Sequence, residues 1–511
     1  MEHDEYDVIV IGSGMGGLTA AALTSGAGLR TLVLEHHFSP GGNAQCFRRK
    51  KMFDFDVGLH YIGDCGPGGL YQAVLRQLGL ADKVGFLPMD QDGFDTLIYP
   101  DLRFRVPAGW DNYERRLKEA FPEEARAIER FLSFMKAMAH RRFGGSTPEI
   151  EALEERLRKP WDACTLGEVF DSLECSLRLR SVLSAESGNY GAPPSRASAA
   201  LHAFILDHYL KGAYYVHGGS RTLIDALVGT IEENGGRVRL RSRVSRILVE
   251  GGRATGVELA KGEVFRARHV ISNADAKRTL LEMVGEERIS AGLRERLLAY
   301  RMSLPLFVVY LALQVDPHDL GLRNSNYLLA PTYDPEEQYA ACLAGEIPER
   351  PGAYITIASL KDPESRNIAP EGYTNLQIMT IAPAQLSSWG AEQGPASGGR
   401  YRHTMPYTVA KRTLEERLLE VADEMMPGLV RNVVWRESAT PLTQERFTLS
   451  TGGTSYGFEH APDQFGDRRL ASQTEIPGLY LAGASTVFGH GIAGAMVSGV
   501  AAGNAVIAAA S

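Results

Sequence analysis

Residues 6 to 35 constrain the fold of this chain more than any other stretch. An apolar run from Tyr6 to Ile11 precedes a glycine-rich turn, a small-residue segment and a second apolar run that ends at Glu35. A strand, a glycine turn, a helix and a strand closed by an acid form, in this order, the fingerprint of a dinucleotide-binding βαβ unit. The sequence therefore predicts a parallel sheet that binds a nucleotide.

Each residue of the fingerprint has a predicted role. Gly12 permits the tight turn, Gly14 lets the backbone approach a pyrophosphate, and Gly17 lets the helix pack closely on the strand. The phosphates are expected at the helix N-terminus, where backbone N–H groups are free. Glu35 is placed to accept hydrogen bonds from ribose hydroxyls, and its charge would repel a 2′-phosphate. This favours FAD or NAD over NADP.

Length and composition exclude several classes of protein. With 511 residues, 44% of them apolar, the chain is too long for one compact domain. A formal charge of −8 gives no bulk attraction to nucleic acid, and the alternating arginines from Arg237 to Arg243 are interpreted as the solvated face of a strand. The cysteines are scattered and form no CxxC pair, which predicts reduced thiols and no metal site. Together with the acidic start of the chain, this predicts a cytoplasmic protein.

The order of the remaining patterns predicts a discontinuous architecture. A helical pattern extends from the glycine-rich loop near Gly69 to Lys211. Further elements are expected as short strands at 238–244, 247–250, 254–259 and 264–272, apolar strands at Leu306–Leu313 and Thr374–Ile381, a helix at Leu414–Met426 and a final strand within Gly478–Gly483. The short strands read as a β-meander that returns to the main sheet.

The cofactor is more consistent with flavin than with nicotinamide. An NAD dehydrogenase would complete its dinucleotide domain directly after the first βαβ unit, whereas here the matching elements come from the C-terminus. The Gly483 turn and the helix beginning near Gly491 are expected to present backbone N–H groups to an isoalloxazine edge. The fold class is therefore α/β: a Rossmann-type FAD-binding domain (1–75, 213–300 and 440–511) with an inserted α+β substrate domain (76–212 and 301–439).

With these motifs, the chain resembles the phytoene desaturase, carotenoid isomerase and retinol saturase group of the amine-oxidase-like flavoproteins. The segments that carry the resemblance extend over nearly the full length: Val10–Gly17, Pro40–Gly42, Phe55–Tyr61, Tyr214–Gly219, Leu479–Gly483 and Gly491–Ala495. The resemblance implies non-covalent FAD and chemistry at C=C or CH–CH bonds of a long polyene or isoprenoid lipid, as a saturase, desaturase or isomerase. Tyr61 and Pro193–Pro194 are closer to the saturase and isomerase branch.

Carried over position by position, the resemblance completes the predicted cofactor site. The cofactor-binding set is Gly12, Gly14, Met15, Gly16, Gly17, Glu35, Gly41, Gly42, Val244, Gly483 and Ile492. Val244 matches a backbone contact to adenine, and Gly483 and Ile492 match the segment at the flavin. Asn43 stands where many relatives carry arginine, and Ala484 replaces an acid that many use to hold the ribitol chain. Both departures leave FAD affinity and flavin electronics open.

Reaction at such a bond requires hydride exchange with flavin N5, a long apolar tunnel and the exclusion of water. The candidates for handling the accompanying proton are His60, Tyr61, Glu186, Tyr190 and His490. For each a structural role is the alternative, such as a loop cap, a surface acid or a residue that orients a helix. The expected partners are a hydrophobic small molecule and an external electron donor or acceptor, with no nucleic acid.

Two segments raise the question of membrane contact. Gly491–Ala510 has no charge over about a bilayer-spanning length, but its glycine and alanine content favours a helix buried against a sheet. Ile128–Phe143 combines an apolar face with a basic C-terminal end, which is typical of an interfacial helix or of an ordinary packed helix. We favour packing for both and keep peripheral membrane contact as the alternative.

Two other functions remain open. A prenyl-binding escort-type module resembles this fold without redox chemistry, but it need not retain the fingerprint, Glu35 and the C-terminal glycines. A flavin amine oxidase would carry an aromatic cage residue where Gly491 stands. A yellow purified protein would exclude the first alternative, and amine-dependent release of peroxide would support the second.

Overall fold

The computed structural model describes residues 5–141 and 147–511. Its strands, in chain order, are β1 (Glu5–Ile11), β2 (Thr31–Leu34), β3 (Cys46–Arg49), β4 (Phe53–Asp56), β5 (Ile62–Gly63), β6 (Phe86–Pro88), β7 (Asp95–Ile98), β8 (Arg103–Val106), β9 (Ala213–Val216), β10 (Arg237–Arg239), β11 (Val244–Glu250), β12 (Arg253–Leu259), β13 (Val264–Ser272), β14 (Leu306–Leu313), β15 (Asn326–Leu329), β16 (Ala353–Ile357), β17 (Thr374–Ile381), β18 (Val433–Ala439) and β19 (Leu479–Leu481).

The α-helices are α1 (Met15–Gly26), α2 (Leu70–Gln77), α3 (Trp110–Ala120), α4 (Ala125–His140), α5 (Pro148–Leu157), α6 (Leu166–Ser172), α7 (Leu177–Leu183), α8 (Ala199–Leu210), α9 (Ser220–Glu233), α10 (Ala291–Ala299), α11 (Glu337–Ala344), α12 (Ala358–Lys361), α13 (Met405–Met425), α14 (Pro441–Thr448) and α15 (Gly491–Ala510).

The first sheet contains the predicted nucleotide-binding unit. Its strand order is β10-β2-β1-β13-β12-β11, and β19 pairs with the C-terminal part of β13. Strands β10, β2, β1, β13 and β19 are parallel, whereas β11 and β12 form the antiparallel meander. Val8 and Val10 pack with residues of α1 and α15, and Ile9 packs on the opposite face with the meander. Both faces of β1 are therefore buried, as its continuous apolar run requires.

The second sheet forms the other half of the molecule. Its order is β18-β14-β17-β16-β15-β7-β8, and every pair is antiparallel except β15 with β7. The predicted apolar strands Leu306–Leu313 (β14) and Thr374–Ile381 (β17) are interior neighbours in this sheet, paired along their whole length. Residues of α13 join one face of the sheet in a single apolar cluster. The opposite face contributes to the cavity described below.

The segments that supply the two sheets alternate along the chain. The first sheet takes strands from residues 5–34, 237–272 and 479–481, and the second from 95–106, 306–381 and 433–439. This distribution supports the proposed division into a discontinuous nucleotide domain and an inserted substrate domain.

The structure corrects two local predictions. The predicted helical stretch up to Lys211 also contains β6, β7 and β8, because β7 and β8 are stabilised by pairing with distant β15 and with each other. The predicted strand at 238–244 ends at Arg239, since Arg241 adopts a left-handed conformation with φ 54°. The arginines therefore do not share one solvated strand face, and Arg243 reaches the cavity instead.

The C-terminal helix α15 packs on the nucleotide unit. It is long and apolar enough to cross a membrane by length and composition. However, a Cβ at Gly499 would lie 2.3 Å from the Gly16 carbonyl oxygen, so the backbones of α15 and α1 are in direct contact. Ile492 and Val497, nearer its start, line the cavity. These contacts support the prediction that small residues let this helix lie against the nucleotide unit.

Helix α4 uses its apolar face for packing. Ile128, Phe131, Leu132, Met135 and Met138 are at most 1% exposed and belong to the largely helical core of the inserted domain. This face is therefore not available to a membrane surface, and packing is confirmed for α4. The end of the predicted segment, residues 142 and 143, lies outside the described residues.

Candidate active site

One continuous cavity of about 1840 Å³ joins the two halves of the molecule. At one end it is lined by the fingerprint turn, Glu35 and Val244. It passes the start of α15 and ends between α8, the second sheet and the segment around Glu186. A site of this size, which exceeds a typical drug-sized pocket, has room for a dinucleotide and a second molecule placed end to end.

The nucleotide cradle consists of the Gly12–Gly17 turn, Glu35 and Gly41–Gly42. Helix α1 begins at Met15 without a side-chain cap and without an acid in its first turn, so its first N–H groups are available to an anion. A Cβ at Gly14 would lie 2.5 Å from the Asn273 amide nitrogen, and one at Gly42 would lie 2.9 Å from the Gly14 Cα. The cradle therefore requires glycine, as the fingerprint predicts.

The predicted cofactor residues divide into two groups. Those that line the cavity are Gly12, Gly14, Met15, Glu35, Gly41, Gly42, Val244, Gly483 and Ile492. Gly16 and Gly17 support the turn from behind, since a Cβ at Gly17 would lie 2.1 Å from the Gly12 carbonyl oxygen and one at Gly16 would lie 2.8 Å from the Gly483 nitrogen. The sequence did not identify Asn273 beneath this turn, because a single asparagine after a strand carries no local signal.

Glu35 is held in place as an anion. One carboxylate oxygen accepts hydrogen bonds from the Ser13 N–H at 2.8 Å and the Ser13 hydroxyl at 2.7 Å, and the other accepts from the His37 N–H at 2.7 Å. Burial opposes ionisation, but these bonds and the contact with His36 outweigh it and lower the pKa of the carboxyl to about 2. With His36 Nδ1 at 2.9 Å from the second oxygen, the carboxylate has four polar neighbours, about as many as its acceptor sites. A ribose hydroxyl would therefore share or replace one of these contacts.

The flavin end of the cavity differs in one respect from the sequence prediction. The Gly483 N–H donates to the Ser498 hydroxyl at 2.6 Å, so it is not free for an isoalloxazine edge. The free N–H groups come instead from the first turn of α15, which begins at Gly491 without a side-chain cap. The role of Gly483 is geometric, since its φ of 96° favours glycine.

A buried arginine lies beside this end. The Arg469 guanidinium donates to the carbonyl oxygens of Ala484 at 2.6 Å and Thr486 at 3.0 Å and, within the described residues, pairs with no carboxylate. Burial lowers its pKa to about 10, so it stays charged at neutral pH. It thus supplies positive charge next to Ala484, where an acid is absent. The cradle, the two helix N-termini and Arg469 together fit the anionic diphosphate and the flavin of FAD.

A second set of polar groups lies further along the cavity and is here named the Tyr61 cluster: Tyr61, Asp95, Glu186, Asn189, Asn326 and Lys361. The Tyr61 hydroxyl lies 3.3 Å from both the Asp95 and the Glu186 carboxyl oxygens. The Asn189 amide donates to the Tyr61 hydroxyl at 3.0 Å and to Glu186 at 2.5 Å. Tyr61, Glu186 and Asn189 line the cavity, and Asp95 lies behind them.

The rear of the Tyr61 cluster is anchored in the second sheet. Asn326 and Asp95 are register partners in β15 and β7, and the Asn326 amide donates to Asp95 at 2.8 Å. The Lys361 ammonium donates to Asn326 and Thr356, both at 2.5 Å, and to the His60 carbonyl oxygen at 2.7 Å. Strands β7 and β15 and helix α12 therefore hold Asp95, Asn326 and Lys361 at the rear of the cluster.

The buried position perturbs these groups strongly. Burial raises the pKa of Glu186 well above its usual range, reinforced by the neighbouring Asp95, and burial also raises the pKa of Asp95. Burial lowers the pKa of Lys361 to about 7, although Asp95 and Asp56 oppose the shift. Burial, with Asp95 and Glu186 nearby, raises the pKa of Tyr61, so its hydroxyl remains protonated. Perturbed groups gathered at a cavity are typical of an active site.

The five predicted proton-handling residues occupy different positions. Tyr61 and Glu186 meet in the cluster. His490 occupies the N-cap position of α15 without a side-chain capping bond, and its Nε2 lies 2.6 Å from the Asn189 carbonyl oxygen. Nε2 therefore carries the proton, and burial lowers the pKa of His490 to about 4. His60 lines the cavity, and burial together with Lys361 lowers its pKa to about 3. Tyr190 faces away from the cavity and bonds to His202 at 3.0 Å.

Aromatic and aliphatic side chains form the remaining wall. The Tyr61 ring stacks on Tyr209 at 4.2 Å between ring centres. The Tyr354 hydroxyl is buried and, among the described residues, has no hydrogen-bond partner. The other apolar lining includes Phe204, Ile205, Leu306, Val308, Leu328, Met379 and Ile381. Sequence reasoning missed Asp95, Asn189, Asn326, Lys361, Tyr209 and Tyr354, which come from separate elements and share no motif.

Comparison with known proteins agrees with this geometry. The family model described as flavin containing amine oxidoreductase matches residues 15–338. The chain is 30% identical to all-trans-retinol 13,14-reductase of Macaca fascicularis, covering 99% of this chain and 86% of that protein. It is 27% identical to prolycopene isomerase 2 of an Oncidium hybrid cultivar, covering 98% of this chain and 83% of that protein.

Among solved structures, cyclohexylamine oxidase from Brevibacterium oxydans matches with a TM-score of 0.65 and 16% identity, covering 99% of both chains. This likeness concerns the fold. The family match and the retinol reductase relative together identify the chain as a member of the flavin-containing amine oxidoreductases, in the retinol saturase and carotenoid isomerase group, and as an FAD-dependent oxidoreductase.

Proposed function

We propose that this enzyme transfers hydrogen to or from a carbon–carbon bond of a long polyene lipid of the retinoid or carotenoid class. The observation that carries the proposal is the continuous cavity, which connects the nucleotide cradle with an aromatic and aliphatic chamber. A polyene is a long apolar chain and suits such a wall, because burial of its surface contributes to binding at about 25 cal/mol per Å². The names of the relatives favour the same substrate class.

The residues of the chain have distinct tasks in this proposal. Bound FAD supplies hydride exchange at its N5 atom. The cradle orients the cofactor, and the apolar wall excludes water from the chamber. Tyr61 and Glu186 are the cavity-lining groups placed to hold a proton, since their oxygens lie 3.3 Å apart and burial raises the pKa of both.

Amine oxidation is the second candidate, favoured by the family model and by the likeness to cyclohexylamine oxidase. Gly491 stands at the position where such relatives place an aromatic cage residue, and here it is a glycine with φ 74° at the start of α15. A Cβ at Gly491 would meet nothing within 4 Å, so the space is open rather than filled by another aromatic ring. This arrangement favours the polyene over an amine.

The test uses the purified holoenzyme, reduced anaerobically with dithionite. All-trans-retinol, prolycopene, lycopene, phytoene and an unsaturated fatty acid are supplied separately, and products are analysed by mass and by isomer. A saturated product gains hydrogen, whereas an isomerised product keeps its mass, so the measurement also identifies the direction of the reaction. Conversion of no polyene, together with peroxide release from an amine under air, would replace this proposal with amine oxidation.

A further inference from the structure

The strongest unassigned feature is the relation between Asp95 and Glu186. Both carboxyl groups are buried and contact the same Tyr61 hydroxyl at 3.3 Å. The hydroxyl has one proton, so it can donate to only one of the two carboxyl groups. Two buried carboxylates beside one hydroxyl would also repel each other, which disfavours a doubly ionised pair. One proton held by the pair satisfies both contacts at this point of the cavity wall.

Tyr61 connects this pair to the cavity. Its hydroxyl has one proton to donate and accepts a hydrogen bond from the Asn189 amide at 3.0 Å. Asn189 is in turn oriented by His490. Because Asn189 can only donate through its amide nitrogen, the tyrosine proton points to the carboxyl pair in the resting enzyme. A hydroxyl placed in this way can lose a proton on one side and regain one from the other.

We propose that Asp95 and Glu186 share one proton and that the Tyr61 hydroxyl relays it to the substrate. The proton goes to the carbon of the C=C bond that is adjacent to the carbon that accepts hydride. The inference rests on the proposed function and deepens it. In reduction, one carbon of the C=C bond gains the hydride that bound FAD would supply. The adjacent carbon forms a C–H bond as the Tyr61 O–H bond breaks. Tyr61 then takes the proton of the pair, which is later restored from solvent.

The C=C bond gains two electrons in this step. Bound FAD, reduced beforehand by an external two-electron donor, would supply them. Asp95 never contacts the substrate and acts as a positioning residue that keeps the proton on Glu186. Glu186 and Tyr61 line the cavity and act as the catalytic pair.

Several charged or titratable groups face the carboxyl pair. Tyr61, Tyr209 and Tyr354 surround it, and Lys361 reaches Asp95 through Asn326. Tyr113, Tyr190 and His60 lie at the edge of the same group. Lys361 is the cation among these groups, so a pair with one proton and one negative charge is neutralised when Lys361 is protonated.

The proton can be detected without turnover by infrared difference spectroscopy of the FAD-loaded enzyme at neutral pH. Glu186→Gln should remove one protonated-carboxyl band that shifts in D₂O, and Asp95→Asn should remove carboxylate bands. Glu437→Gln serves as the control, because Glu437 is an exposed acid paired with Arg49, and should remove carboxylate bands alone. Loss of the same kind of band in Glu186→Gln and Asp95→Asn would overturn the shared proton.

The relay is tested by single turnover of dithionite-reduced enzyme with all-trans-retinol in D₂O. Glu186→Gln and Tyr61→Phe should each slow conversion by about 10²–10⁴-fold with FAD still bound. Because the two residues act in series, the double variant should convert the substrate no more slowly than the slower single variant. Additive losses would overturn the relay. If the wild-type enzyme converts no polyene, the proposed function fails, whereas the infrared result still decides whether the pair shares a proton.

Discussion

The nucleotide cradle and the Tyr61 cluster line the same cavity but are built in opposite ways. The cradle uses backbone N–H groups and the absence of side chains, within segments close together in sequence. The Tyr61 cluster uses side chains from five separate segments between Tyr61 and Lys361, with Asp95 and Asn326 joined by strand register. The first depends on local conformation and the second on tertiary packing. The two sites should therefore fail in different ways when altered.

The largest effect is expected from Gly14→Val. The Cβ alone would lie 2.5 Å from the Asn273 amide nitrogen, and the rest of the side chain would occupy the pyrophosphate position. FAD absorbance should be absent from protein purified with excess cofactor. Gly229→Val is the control, because a Cβ there meets nothing within 4 Å. Full FAD occupancy in Gly14→Val would contradict the assigned cradle.

Within the Tyr61 cluster, Tyr61→Phe should separate catalysis from cofactor binding. Turnover of the convertible polyene should fall by about 10²–10⁴-fold because a proton-handling group is lost, while FAD occupancy remains normal. His60→Ala is the matched comparison on the neighbouring residue. His60 accepts the hydrogen bond from Lys361 through its backbone carbonyl oxygen, which the substitution leaves in place. This variant should therefore retain most activity. Equal loss in both variants would show that the segment matters only for its shape.

A smaller effect is expected from Glu35→Ala in the cradle. Loss of a charge-assisted hydrogen bond typically weakens binding by about 1.5–3 kcal/mol, so FAD should bind about tenfold to a hundredfold more weakly. Flavin fluorescence titration measures this change. Ser13→Ala removes one hydrogen bond to Glu35, of 2.7 Å, but keeps the carboxylate. This variant should therefore weaken FAD binding less than Glu35→Ala does. If both variants weaken FAD binding equally, Glu35 acts by shaping the turn rather than by contacting ribose.

The smallest effect is the pH dependence of stability that comes from Lys361. Its pKa is lowered by burial from 10.5 to about 7, so between these values the unfolded chain binds more protons than the folded one. The free energy of unfolding should therefore rise with pH above about 7 and level off near 10.5.

Urea unfolding of wild type and Lys361→Met across this range isolates the contribution of Lys361, since methionine cannot titrate. Lys83→Met serves as the control because Lys83 pairs with Glu233 at the surface. The stability of wild type relative to Lys361→Met should increase with pH. Comparison with Lys83→Met separates this increase from the general effect of losing a surface lysine. A constant difference for Lys361→Met would indicate that this lysine titrates normally in the fold.

The sequence determined the nucleotide half of this protein because its constraints are local. The order of strand, glycine turn, helix and acid requires a βαβ unit. Gly12 has a positive φ, Gly17 packs against the Gly12 carbonyl oxygen, and Gly14 faces the Asn273 side chain. The apolar strands Leu306–Leu313 and Thr374–Ile381 were equally predictable, since each is a continuous buried run.

Only the tertiary structure decided the rest. Strands β7 and β8 looked like part of a helical region until pairing with β15 placed them in the second sheet. Arg243 left the predicted solvated face because the chain turns at Arg241. Burial beside Asp95, a residue far away in sequence, raises the pKa of Glu186. Burial and long-range pairing determine these properties, and neither can be predicted from the residues of any one segment.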